Sequence, residues 1–155
     1  MKIYTLTFKQ NIPATLETAW NYFSSPTNLS HITPPNMAFE VTSDLSEDHK
    51  MYPGMIITYK ISPLPGYTTN WVTEITHVKP QNYFVDEQRA GPYAFWHHQH
   101  HFVEIPGGVA MMDLLHYAIP FGFLGRIANS LLVEKRLMEI FEFRKKKITE
   151  TFGQF

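Results

Sequence analysis

The chain has 155 residues, 44% of them hydrophobic and 15% aromatic, which predicts one folded domain over residues 1–155 with a substantial core. Its net charge of −1 provides no global attraction for nucleic acid or an anionic membrane, and the lack of cysteine excludes disulfides and thiolate chemistry. The N-terminus has no signal-peptide pattern, and the apolar stretch at residues 118–133 is too short to cross a bilayer. We therefore expect a soluble, cytoplasmic protein.

The N-terminal part of the chain predicts a strand followed by two short helices. Residues 4–8 alternate between apolar and polar side chains, which is typical of a half-buried strand. Pro13 can begin a helix, and apolar residues follow it at helical spacing as far as Phe23. A second short helix is predicted over residues 28–32, and the run Thr33-Pro34-Pro35 ends it.

Residues 37–118 predict about six antiparallel strands. Alternating apolar and polar residues define the strands, and a polar loop is predicted over residues 43–53. Proline and glycine interrupt the pattern where short turns are expected: residues 63–66, 79–81, 91–92 and 106–108. Such short turns imply consecutive hairpins.

The chain closes with a pattern that predicts one long helix, entered through residues 120–125. Its apolar stripe consists of Ile127, Leu131, Leu137, Phe141, Ile148 and Phe152. Residues 144–147 are basic and are predicted to be a solvated helix end. A curved sheet must bury one face, and only this helix is long enough to cover it. The predicted fold class is α+β, with a curved antiparallel sheet of about six to seven strands and the C-terminal helix across its concave face.

Residues 95–103 contain four histidines in a predicted strand, and the turns flanking this strand fix its partners. A two-residue turn at residues 106–107 sets His100 opposite Asp113, and the preceding hairpin sets Asp86 opposite His98. A four-residue loop at residues 78–81 predicts three further pairs: Ile75 with Phe84, Thr73 with Asp86, and Trp71 with Gln88.

These pairs divide the predicted sheet into two faces of different composition. One face is mostly apolar and aromatic: Ile57, Tyr59, Trp71, Ile75, Phe84, Asp86, Gln88, Trp96, His98, His100, Phe102, Met111, Asp113, Leu115 and Tyr117. The other is polar: Lys60, Glu74, Glu87, Arg89, His97, Gln99, His101 and His116. Because buried charges are costly unless paired, and only the first face pairs acids with imidazoles, we expect the first face inside.

Several motifs together carry a resemblance to a known family. They are Asn28-Leu29, Ile32-Thr33-Pro34-Pro35, Gly54, Phe84-x-Asp86-x-Gln88-x-x-Gly91-Pro92-Tyr93, Trp96-x-His98-x-His100-x-Phe102, Asp113-x-x-x-Tyr117-x-x-Pro120-Phe121-Gly122 and Gly125. The chain resembles the START-like superfamily, also called helix-grip or SRPBCC proteins, which includes polyketide-cyclase-like and lipid-transfer domains. The branch it is most similar to is often labelled "cell division inhibitor" by homology.

The resemblance implies a single START-like domain with a cavity between the sheet and the terminal helix, but no single activity. The favoured hypothesis is binding of an apolar or amphipathic small molecule: a lipid, a polyketide-like compound or an aromatic one. The alternatives are a cyclase, isomerase or hydrolase that uses a His–Asp pair, and an interaction module working beside an oxidoreductase. The predicted ligand contacts are Tyr59, Trp71, Asp86, Gln88, Trp96, His98, His100, Phe102, Asp113 and Tyr117.

The two inner histidines with Asp86 and Asp113 allow four interpretations. Internal His–Asp pairing comes first, then ligand contact in an aromatic cavity, then general acid–base catalysis. A zinc site comes last, because no third ligand is clearly supplied. We assign no catalytic residue, metal or cofactor. We expect no nucleic-acid partner and no membrane insertion, and homodimer formation stays open.

Overall fold

The computed structural model describes residues 1–45, 50–64 and 66–155 of the chain. Its strands are β1 (Tyr4–Ile12), β2 (Glu40–Val41), β3 (Met55–Leu64), β4 (Tyr67–Lys79), β5 (Tyr83–Ala90), β6 (Phe95–Ile105) and β7 (Gly108–Ala118). Within the described residues they form one antiparallel sheet in the order β1-β7-β6-β5-β4-β3-β2. This confirms the predicted α+β class and six strands after residue 37. The predicted loop at residues 43–53 and the turn at residues 63–66 lie partly outside the described residues.

Only the first of the two predicted short helices is an α-helix. Helix α1 (Leu16–Phe23) begins where the backbone N–H of Thr18 donates to Oγ1 of Thr15 at 3.1 Å. The second segment consists instead of two 3₁₀ turns, Pro26–Ser30 and Pro35–Met37. The closely spaced prolines cause this difference, because proline removes backbone donors and disfavours the α conformation in the residue before it.

The C-terminal helix runs without a break through α2 (Gly122–Ala128), a π-helical turn (Asn129–Val133) and α3 (Glu134–Phe152). Leu137, Phe141 and Ile148 are buried, as predicted. The prediction for Ile127 and Leu131 was wrong, because these side chains are 41% and 74% exposed.

The π turn explains the error in the predicted stripe. A π turn is wider than an α turn, so side chains four residues apart keep one direction through it. Gly125, Asn129, Val133 and Leu137 therefore follow the inner face, and Gly125 and Asn129 are buried. Gly125 packs so closely on the segment between β7 and α2 that a Cβ atom there would lie 1.9 Å from the carbonyl oxygen of Pro120.

The strand register confirms two of the three predicted hairpins. His100 lies opposite Asp113 across β6 and β7, and Asp86 lies opposite His98 across β5 and β6. Between β4 and β5 the prediction was wrong: Ile75 pairs with Asp86, not Phe84.

Two irregularities account for the β4–β5 difference. The connecting loop has three residues, with Gln81 in the left-handed region at φ 58°, and β4 has a register shift between Ile75 and His77. Thr73 consequently lies opposite Gln88 rather than Asp86. The predicted pair of Trp71 with Gln88 does not form, and the β4–β5 pairing begins with Val72 opposite Ala90. The shift from Phe84 to Asp86 is two residues, so the face assignment survives.

The predicted inner face is the buried one. Its buried members are Ile57, Trp71, Ile75, Phe84, His98, His100, Phe102, Met111, Asp113, Leu115 and Tyr117. On the opposite face Lys60 and Arg89 are exposed, and the other charged and histidine side chains are partly exposed. In the part of the chain that the structure describes, no helix combines the length and hydropathy that a membrane crossing requires.

Candidate functional site

A cavity of about 870 Å³ lies between the inner face of the sheet and the C-terminal helix. Ligand pockets of roughly 300–1,000 Å³ bury most of a small organic molecule, so this volume is ample. Six of the predicted contact residues line it: Tyr59, Trp71, Asp86, Trp96, His98 and His100. The α3 side chains that face it include Arg136, Ile140 and Arg144.

The structure places the other four predicted residues behind the cavity wall. Phe102 packs against Trp20 and Phe23 in the core, and Tyr117 is fully buried. The Gln88 side chain donates to the carbonyl of Tyr93 at 2.7 Å and accepts from its N–H at 3.2 Å. Gln88 therefore fixes the loop that brings Tyr93 to the cavity.

The fourth, Asp113, is buried and does not line this cavity. It lines a second, smaller pocket of about 160 Å³ between β1 and α3. Its carboxylate nevertheless reaches both inner histidines, so it belongs to the same polar group.

Asp86, His98, His100 and Asp113 form a closed ring of contacts, which we call the His–Asp cluster. Nδ1 and Nε2 of His98 lie 3.4 Å from Oδ2 of Asp86 and 3.1 Å from Oδ1 of Asp113. Nε2 and Nδ1 of His100 lie 2.9 Å from Oδ2 of Asp86 and 2.7 Å from Oδ1 of Asp113. The last contact is short but poorly directed, so Nδ1 of His100 has no hydrogen-bond partner among the described residues. The i, i+2 spacing on β6 and the two flanking acids create this arrangement.

Two further side chains contact the acids of the cluster. Nη1 of Arg144 in α3 lies 3.4 Å from Oδ1 of Asp113. Nε1 of Trp96 donates to Oδ1 of Asp86 at 3.1 Å. Arg144 is thus a positive partner supplied by the helix to an acid on the sheet.

The protonation of the cluster follows from these contacts. A neutral imidazole has one N–H, whereas each of the two histidines has both ring nitrogens within 3.4 Å of a carboxylate oxygen. Burial acts to lower the pKa of His100, but Asp113 and Asp86 outweigh burial and raise it. Burial and then the charge of His100 lower the pKa of His98. His100 is therefore protonated before His98 as the pH falls.

The acids of the cluster stay ionised. Burial alone would raise the pKa of Asp113, but Arg144 and then His100 outweigh it and hold that pKa well below its usual range. Burial is likewise outweighed at Asp86, where His98 and then His100 lower the pKa. With His100 protonated, two carboxylates face one imidazolium and one guanidinium, and the charges balance.

Three members of the cluster also form a donor set that zinc accepts. Asp86, His98 and His100 each offer one ligand atom, and these atoms lie within 4.8 Å of one another. The sequence did not clearly supply a third ligand, whereas the structure brings the Asp86 carboxylate to both imidazoles. Arg144 lies on the Asp113 side of the cluster, where its charge opposes a second cation. The expectation of no metal stays a prediction.

The cavity residues that sequence reasoning missed include Tyr93, Arg136 and Arg144. Arg144 was assigned to a solvated basic run, but its side chain is only 13% exposed. The signal that could have found the arginines is their spacing, because Arg136, Ile140 and Arg144 repeat every four residues and share one helix face.

The architecture defines the class to which this chain is similar. A curved seven-stranded antiparallel sheet gripping a long C-terminal helix is the helix-grip fold. No protein-family model matches the chain, and no curated protein does either.

Solved structures share this fold along almost the whole chain. Protein CV1439 from Chromobacterium violaceum superposes with a TM-score of 0.72 at 11% identity, covering 97% of this chain and 99% of that one. Ginseng major latex-like protein 151 from Panax ginseng gives 0.67 at 12%, with 97% of each chain covered. A norcoclaurine synthase point mutant from Thalictrum flavum, in complex with a transition state analogue, gives 0.65 at 13%, covering 97% and 96%. At such identities the likeness establishes the fold, and function has to be argued from the site.

Proposed function

We propose that the protein binds an apolar or amphipathic small molecule in the cavity between the sheet and the C-terminal helix. The observation that carries this proposal is a cavity of about 870 Å³ whose wall is mainly apolar and aromatic, with the His–Asp cluster on one side. Apolar surface removed from water contributes roughly 25 cal/mol per Å², so a ligand that fills such a cavity gains most of its affinity from burial.

The aromatic side chains give this wall a defined shape. The rings of Trp71 and Trp96 meet edge to face at 5.1 Å, and those of Tyr93 and Trp96 lie 4.8 Å apart. Tyr59 stacks on Trp71 at 5.9 Å, and its hydroxyl lies 2.8 Å from Oγ1 of Thr73. Rings fixed by their neighbours lose little conformational freedom when a flat or branched apolar ligand packs on them.

Binding of a neutral fluorophore, N-phenylnaphthylamine, tests the proposal. We expect saturable fluorescence enhancement with the wild-type protein and strong weakening in Ala128→Trp, because Ala128 lines the cavity and an indole there occupies it. Leu131→Trp is the matched control, since it adds the same ring to the exposed side of the same helix. Lack of binding by the wild-type protein, or equal binding by both variants, contradicts a cavity site.

A second candidate function is general acid–base catalysis on the bound molecule. The observation that favours it is that His98 and His100 both line the cavity while carboxylates hold their rings. An imidazole that is held in place by an acid can move a proton at a carbon next to a carbonyl.

Solvent deuterium exchange separates catalysis from binding. Cyclic ketones that bind in the cavity are incubated in deuterium oxide, and exchange at their α-carbons is followed by NMR. If His98 or His100 moves protons, the wild-type protein accelerates exchange and His98→Asn or His100→Asn abolishes the acceleration. If the ketones bind tightly but exchange only at the background rate, the binding function stands and the hypothesis of acid–base catalysis is rejected.

A further inference from the structure

We infer that the ligand carries an anionic, acceptor-rich group, such as a carboxylate or sulfonate, which binds the arginine-bearing face of α3; this inference rests on the proposed binding function. Arg136 and Arg144 both line the cavity with Ile140 between them. Their side chains are only 17% and 13% exposed, so their guanidinium groups belong to the interior rather than to solvent.

In the part of the chain that the structure describes, the polar atoms of the cavity lining that lack a partner are hydrogen-bond donors. Among the described residues that line the cavity, Nε1 of Trp71, Nε of Arg136 and Nε of Arg144 have no hydrogen-bond partner in the protein, whereas Nδ1 of His100 lies 2.7 Å from the carboxylate of Asp113. The first three are obligatory donors. A buried donor without a partner is destabilising, and a bound acceptor relieves that cost. The lining therefore favours a ligand that presents oxygen acceptors rather than N–H donors.

The net charge of the cavity lining also favours an anionic group on the ligand. Among the described lining residues, the fixed charges are two arginines against one acid, Asp86, which leaves +1 before any histidine is protonated. Outside the lining, Asp113 compensates Arg144, whereas the partner of Arg136 is Glu139, which is itself 50% exposed. Solvent screens that exposed pair, so Arg136 keeps attraction for a buried anion.

The two arginines offer two positions along the helix. Eight residues at 1.5 Å each separate them by about 12 Å along the axis, so one small anionic group meets one guanidinium at a time. Substitution of Arg136 is easier to interpret than substitution of Arg144, because Arg136 otherwise makes polar contacts only with the side chains of Glu139 and Asn36 among the described residues, at 3.1 Å each. Removing Arg144 would also leave Asp113 without its helix partner.

Two fluorophores that differ by one sulfonate test the inference. Anilinonaphthalene sulfonate is N-phenylnaphthylamine with an added anionic group, and the two are titrated in parallel. We expect the wild-type protein to bind the sulfonate about tenfold more tightly than the neutral amine, and Arg136→Met to abolish most of that preference without weakening the amine. Arg126→Met removes an exposed arginine from the same helix and should leave both affinities within about twofold.

The outcomes distinguish this inference from the binding function beneath it. If the amine binds in the cavity and the sulfonate binds no better, or if Arg136→Met leaves the preference intact, the proposed contact between an anionic group and Arg136 is refuted and the binding function stands. If neither probe binds, the binding function itself fails. Ala128→Trp should weaken both probes, and sulfonate binding that survives this change would place the probe on the protein surface and count against the inference.

Discussion

Replacing Asp113 by asparagine tests whether the His–Asp cluster holds the terminal helix on the sheet. Asp113 lies on β7 and is 5% exposed. Its Oδ1 contacts Nη1 of Arg144 at 3.4 Å and Nε2 of His98 at 3.1 Å, and it lies 2.7 Å from Nδ1 of His100. Asparagine keeps the shape of the side chain and removes its charge, so the change isolates electrostatics from packing.

The expected loss is large because it leaves a buried guanidinium without its acid. With an effective dielectric constant of about 20, unit charges 3.4 Å apart attract by roughly 5 kcal/mol. Desolvation of both groups offsets part of that attraction in the wild-type protein, but removing one partner leaves the other's desolvation cost in place. We therefore expect Asp113→Asn to lower the free energy of unfolding by about 3–5 kcal/mol.

Guanidinium chloride unfolding at neutral pH measures this change, with Asp44→Asn as the matched control. Asp44 is exposed, so its substitution should alter the free energy of unfolding by less than about 0.5 kcal/mol. NMR titration gives an independent signal: without the Asp113 charge, burial acts on His100 with less opposition, and its pKa should fall. A loss below about 1 kcal/mol with an unchanged His100 titration would refute the view that Asp113 is the anchor of Arg144 and His100.

Three further predictions concern pH and packing. The folded-state pKa of His100 is raised above 6.5, so its contribution to stability is complete below about pH 6.5 and is lost as the pH rises through the folded-state pKa. We therefore expect the free energy of unfolding to fall as the pH rises from about 6 to about 9, and His100→Gln to reduce the slope of that fall in unfolding curves. Gly125→Ala should lower the unfolding free energy by about 1–3 kcal/mol or displace the helix start, since its Cβ meets the carbonyl of Pro120, and an unchanged midpoint would contradict that contact. Leu137→Ala should cost about 2–5 kcal/mol and Leu131→Ala less than about 0.5 kcal/mol, whereas equal losses would restore the stripe first predicted for the helix.

Local chemistry was sufficient to predict the strand that carries the histidines. The Pro106-Gly107 turn permits a two-residue hairpin, and strict alternation along β6 and β7 then fixes every pair as far as Trp96 and Tyr117. The same reasoning placed Asp86 beside His98. It failed at β4, because the three-residue loop and the bulge near Ile75 together shift the register by two residues, and an even shift leaves no trace in an alternating pattern.

The helix was harder to predict because its inner face depends on packing. The π turn changes which residues of α2 lie on the same face as the buried residues of α3. The apolar residues Ile127 and Leu131 fit the hydrophobic stripe of a regular α-helix, so the sequence pattern gave no sign of this change. Arg144 was misassigned for a related reason: it begins a basic run in which Lys145 and Lys146 are exposed and Lys147 is partly exposed. Charge alone gives no indication of which member of a run meets a buried acid on another element.

The geometry also bears on the choice between internal pairing and ligand contact for the His–Asp cluster, since one does not exclude the other. Asp86 already accepts from Trp96 through Oδ1 and faces both histidines through Oδ2, and Asp113 uses Oδ1 for three neighbours. The acids are therefore largely occupied, while the histidines line the cavity. A ligand that reaches the cluster should therefore meet the imidazole rings of His98 and His100, whose nitrogens already face carboxylates, beside Asp86. The two inner histidines can stabilise the sheet and form part of the cavity wall at once, while Trp71 and the two arginines supply the unpaired donors of that wall.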